Sequence, residues 1–131
     1  MIDIENYLFT QVKNRMPKSV HCGAEYREQQ SEFPFLTLSV MDNSVFERFI
    51  DSARVENAAE ITIEVNVYSN KSAGKKEECK KIMREADTVL SDLHLTRTLC
   101  QPVPNLQDAT IYRMTARYRA VVDKNLNIYR R

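Results

Sequence analysis

The chain has 131 residues, 43% of them hydrophobic and 28% charged, which suits one domain, 1–131, built around a single core. A net charge of +1 excludes any global attraction to nucleic acid. No apolar stretch approaches the ~20 residues a membrane helix needs. The opening MIDIENYLFTQVKNR is charged throughout, unlike a signal peptide, so a soluble intracellular protein with no membrane partner is expected.

Three cysteines, Cys22, Cys79 and Cys100, are an odd number and widely spaced. That pattern argues for reduced thiols rather than a disulfide framework. The charge is lopsided. Residues 1–70 hold 6 Lys/Arg against 11 Asp/Glu, and residues 71–131 hold 13 against 7. A fold with an acidic and a basic side can attract copies of itself head to tail, although the same charges can also mix on folding.

The first element is a helix. Ile4, Tyr7, Leu8, Val12 and Met16 recur at spacings of three and four. Asp3 is placed to cap it, Glu5 suits the positive end of the dipole, and Pro17 ends it. A short strand is expected near Val20–Cys22. Residues 35–41, FLTLSVM, alternate, with Leu36, Leu38 and Val40 inward and Thr37 and Ser39 outward.

The stretch DNSVFERFIDSARVENAAE admits two readings. Ser44 with Glu47 makes a capping box, which puts Val45, Phe46, Phe49 and Ile50 on one helix face. Alternatively the strand continues to about Ile50, turns at 51–57 and returns as a long hairpin arm, the reading preferred here. Either way this apolar cluster in a connection needs a partner to cover it. Val45, Phe46, Phe49 and Ile50 are therefore candidates for an interface with a partner or another subunit.

Residues 60–68, EITIEVNVY, form the cleanest strand, with Ile61, Ile63, Val65 and Val67 on one face and Thr62, Glu64, Asn66 and Tyr68 on the other. Ser72 is a plausible cap for a helix over about 73–93, whose apolar stripe is Cys79, Ile82, Met83, Ala86, Val89, Leu90 and Leu93. Glu77 and Glu78 suit its first turns, and His94 its end. A strand at 95–101, a Pro-rich connection, a strand at 110–122, a turn at 123–125 and a short last strand complete the chain. The order predicts an α+β fold: a mostly antiparallel sheet with two helices on one face and a long hairpin or loop arm.

Chemistry is sparse. His21 and the cysteines lack metal-ligand spacing, so no metal site is expected. SAGKK lacks the glycine spacing of a phosphate loop, and the chain has only two glycines. No catalytic constellation and no cofactor site are expected. What remains is the strand TIYRMTARYRAVV, which lines up Arg113, Arg117 and Arg119 on one face. Three uses stay open: a solvated face with cross-strand ion pairs, a subunit contact or channel wall, and a nucleic-acid track. If strand 60–68 is the neighbour, Glu64 can pair with one of the arginines.

The segments EVNVYSN, CQPVPN and IYRMTARYRAVV, within a stretch covering residues 58–131, resemble the tail-terminator, or tail-completion, proteins of tailed bacteriophages and prophages. The resemblance implies a virion structural protein without catalytic residues, assembled in the host cytoplasm and placed at the head–tail junction. It implies a homo-oligomer, a hexameric ring, that caps the tail tube protein and meets the head connector or neck protein. DNA then passes through the ring without sequence-specific binding. It also implies a sheet with flanking helices and a loop or hairpin that orders on assembly. Another neck, connector or tail-assembly component is the alternative.

Overall fold

The computed structural model describes residues 1–23, 33–45, 58–104 and 110–129. Helix α1 spans Glu5–Arg15, strand β1 His21–Gly23, β2 Phe35–Val45, β3 Ala58–Ser69, helix α2 Lys75–Asp92, β4 Thr96–Val103, β5 Tyr112–Asp123 and β6 Ile128–Tyr129. The strands form one sheet in the order β1-β2-β3-β5-β4, and β6 pairs with β5 beyond the end of β4. Every pairing is antiparallel except β1 with β2. The fold is α+β, as the alternating and helical periodicities predict.

The core lies between one sheet face and the two helices. Leu36, Leu38, Ile61, Ile63, Val65 and Val67 meet Ala116, Tyr118, Ala120 and Val122 across the sheet. Leu8 and Val12 of α1 and the predicted stripe of α2 close over them. Tyr7 does not join: it is 42% exposed, on the outer side of α1. Asp3 is not the N-cap of α1: that position is Ile4, which makes no side-chain cap bond, and Asp3 Oδ1 instead accepts the Glu5 N–H at 3.1 Å from one residue further out.

Strand β2 runs to Val45, and Ser44 pairs with Glu60 on β3. Ser44 is thus extended backbone in a hairpin and does not open a helix; its hydroxyl donates to Asp42 Oδ2 at 3.0 Å. The rest of the predicted arm, with Phe46, Phe49 and Ile50, lies outside the described residues. A bulge interrupts β2 between Val40 and Asp42, and there α1 is stitched to the sheet. Glu5 Oε2 accepts the Val40 N–H at 2.7 Å, and Asn43 Nδ2 donates to the Ile2 carbonyl at 2.6 Å.

Two boundaries differ from the sequence reading. Ser72 does not cap α2; the residue before the helix is Gly74, at φ +82°, a left-handed conformation that glycine adopts without strain. At the other end His94 takes φ +70°. The His94 N–H reaches the Ser91 carbonyl and the Leu95 N–H the Leu90 carbonyl, both at 3.0 Å. This is a Schellman ending, which closes the last carbonyls and drops Leu95 into the core.

Thr37, predicted to face outward, does lie on the far side of the sheet but is only 2% exposed. Phe35 and Tyr68, paired across β2 and β3 with ring centroids 6.5 Å apart, are buried on the same side. Gly23 on β1 makes room for them. A Cβ there would stand 2.7 Å from the Phe35 ring. Among the described residues no helix is long and apolar enough to cross a membrane.

Candidate functional site

Strand β5 carries the alternation that divides the molecule. Met114, Ala116, Tyr118, Ala120 and Val122 are buried under the helices, with Tyr112 partly so. Arg113, Thr115, Arg117 and Arg119 point to the other face. The register sets their neighbours: Arg117 lies opposite Glu64, Arg113 opposite Tyr68, and Arg119 opposite Thr62, one diagonal step from Glu60.

Each arginine finds a carboxylate on β3 of its own chain. Arg117 Nε is 3.2 Å from Glu64 Oε2, and Arg113 Nη2 is 4.0 Å from Glu64 Oε1. Arg119 Nη2 bonds Glu60 Oε1. Sequence reasoning reached Glu64 as a partner for one arginine; the structure gives it two and adds Glu60.

Asn66 ties the group to the sheet. It is 3% exposed, and its Oδ1 accepts from Thr115 Oγ1 at 2.5 Å and from Arg113 Nε at 3.0 Å. Its Nδ2 donates to Glu64 Oε1 at 2.9 Å. The Arg113 guanidinium also stacks over the Tyr68 ring, 5.6 Å from its centre. Alternation placed Asn66 on this face but could not mark it as the hub, because two of its partners come from β5 and one from two residues away on β3.

The row is therefore graded. At the Arg113 end it is largely buried, with Arg113 itself 20% exposed and engaged by Asn66, Glu64 and the Tyr68 ring. At the other end Arg117 and Arg119 are about two-fifths exposed, each held by one carboxylate. That open end is also where the chain leaves the sheet at Val45 and returns at Ala58, since Val45 pairs with Ala59 and Ala59 with Val122. The connection carrying Phe46, Phe49 and Ile50 thus starts and finishes at the end of the sheet nearest Arg119. What the arrangement offers chemically is two oriented, partly neutralised guanidinium groups, suited to bidentate contacts with oxyanions.

A second polar group escaped the sequence reading. Tyr118 Oη donates to Asp87 Oδ1 at 2.8 Å, and Arg97 Nη1 is 3.5 Å from the same oxygen. With Ser91, Leu95 and Thr96 they line an open cleft of about 200 Å³. Burial, then the bond to Asp87, pushes the Tyr118 hydroxyl up, so it stays protonated and donates. The only sequence signal was Asp87 beside the apolar stripe of α2.

The thiols are separate. Cys79 is buried, and its Sγ lies 3.5 Å from the Tyr112 carbonyl and 3.7 Å from that of Val67. Burial, helped by the charge of Glu78, pushes it up to about 12. Among the described residues no three His, Cys, Asp or Glu side chains gather as metal ligands. No protein-family model and no curated protein matches the chain.

Proposed function

We propose that this chain is a structural protein of a tailed-phage virion, a tail terminator whose copies close into a ring on the end of the tail tube and join it to the head connector. The observation that carries the reading is the pairing of two features at one end of one sheet face. Arg117 and Arg119 stand there half-exposed and anchored, and the apolar connection with Phe46, Phe49 and Ile50 is rooted beside them. An apolar centre with an arginine rim is the usual make-up of a protein–protein interface. The resemblance of residues 58–131 to tail terminators supplies the kind of assembly.

Val45, Phe46, Phe49, Ile50, Arg113, Arg117 and Arg119 are assigned to the subunit or tube interface. The β3 carboxylates already neutralise much of the arginine charge, so this face suits short-range contacts with a neighbour better than long-range attraction of a polyanion. The contact is heterologous, as ring closure requires. Native mass spectrometry and particle images of the full chain, alone and with tubes of its tube protein, test the reading. A six-fold ring at the tube end is expected; a two-fold dimer only, on and off tubes, overturns it.

A further inference from the structure

We propose that the outer side of α2 binds the phosphate backbone of double-stranded nucleic acid without reading its sequence. Lys76, Lys80 and Arg84 recur every four residues and so form a row along one side of the helix, about 6 Å apart. Lys81 stands beside them. Lys76, Lys81 and Arg84 are exposed and Lys80 half-buried.

The state of these charges sets them apart. Among the described residues the side chains of Lys76, Lys80, Lys81 and Arg84 make no ion pair or hydrogen bond, whereas Arg97, Arg113, Arg117 and Arg119 each have a carboxylate. Glu77 lies three residues from Lys80 and four from Lys81, and Glu85 four from Lys81, yet among the described residues neither carboxylate pairs with these cations. Like charges at this spacing oppose helix formation, and cations in the first turns oppose the helix dipole. Helix stability does not account for the row.

A protein partner is disfavoured by what the face lacks. Among the described residues the exposed large hydrophobics are Met1, Tyr7, Met41, Leu126 and Tyr129, none of them on α2. Protein interfaces concentrate their energy in buried aromatic and aliphatic anchors. Phosphate backbones need only positioned cations, whose binding is driven by release of condensed counterions. The row lies on the helix side of the sheet and the paired arginines on the other, so this assignment stands whether or not the chain forms a ring.

The test is fluorescence anisotropy of a labelled random-sequence duplex with the full chain at two salt concentrations. Three neutralised phosphates predict a salt slope of about −3 and a loss of roughly 40-fold in affinity between 50 and 200 mM salt. Lys76→Glu/Lys80→Glu/Arg84→Glu should lose at least about tenfold at the lower salt, with melting temperature and oligomeric state unchanged. The milder Lys76→Gln/Lys80→Gln/Arg84→Gln variant should fall between. Lys124→Glu, on the β5–β6 turn, should bind as wild type. Absence of wild-type binding at low salt, or wild-type affinity in both triple variants, overturns the proposal. Competition by poly-glutamate as strong as by duplex overturns nucleic acid as the partner.

Discussion

Glu64 on β3 and Arg117 on β5 stand directly opposite each other, with Arg117 Nε 3.2 Å from Glu64 Oε2. The two ends of this pair differ in worth. Arg117 is 42% exposed, so Arg117→Ala should cost about 0–1 kcal/mol. Glu64 is 16% exposed and also serves Arg113 and Asn66, so Glu64→Ala should cost about 1–3 kcal/mol. Urea melts of both variants measure the difference; equal small losses would show the network adds nothing to the monomer. Under the proposed function Arg117→Glu also prevents ring formation while the monomer stays folded.

The apolar connection gives a sharper test of assembly. Phe46→Ser with Phe49→Ser should leave the monomer melting temperature near that of wild type and abolish rings on tubes. A fall of many degrees would assign these phenylalanines to the monomer's own core and remove them from the interface.

The ending of α2 makes a prediction about stability alone. His94 occupies a left-handed position that favours glycine, so His94→Gly should stabilise the chain by about 0.5–1 kcal/mol. Leu95→Ala, one residue on, should cost about 2–5 kcal/mol, because Leu95 is fully buried beside the last turn. Thermal melts of the two variants should move in opposite directions.

Asp123 organises the β5–β6 turn. Its Oδ1 accepts the N–H groups of Asn125 and Asn127, both at 2.9 Å, and its Oδ2 accepts from Asn127 Nδ2 and Tyr129 Oη. The Asn127 N–H above all holds its carboxyl below the ordinary 3.8. A depressed folded-state value means the bonds are in full strength above pH 3.8 and lost as pH falls through the lowered value. Amide exchange at Asn125 and Asn127 in the turn should therefore stay slow at neutral pH and accelerate, relative to the amides of β5, only in acid. In Asp123→Asn it should be fast throughout; a turn equally protected in that variant would show the carboxylate does not hold it.

The thiols should react in order of exposure. Cys100 is exposed, Cys22 half-buried and Cys79 buried, with Cys79 pushed up to about 12. Thiolate is the reacting form, so a maleimide should label Cys100 first and Cys79 only on unfolding. Labelling followed by mass spectrometry checks this; early modification of Cys79 would mean α2 lifts from the sheet.

Much of the fold was legible because side-chain periodicity is a local property. The strict alternation of Ile61 to Tyr68 and the stripe from Cys79 to Leu90 specify a strand and a helix whatever lies beside them. The same alternation put Arg113, Arg117 and Arg119 on the face away from the core. Partners are not local. That β3 rather than another strand flanks β5, that Glu64 serves two arginines, and that Asp87 meets Tyr118 depend on chain segments 30 to 60 residues apart in sequence. Alternation also cannot tell water from neighbouring side chains on the same face, which is why Asn66, tied to Glu64, Arg113 and Thr115, reads as outward yet is buried. Helix ends followed tertiary and backbone demands: Gly74 and His94 take left-handed conformations that no periodicity marks. The sequence by itself determined the elements and the two faces of the sheet; the packing of distant segments decided which charges are paired and which are left to meet another molecule.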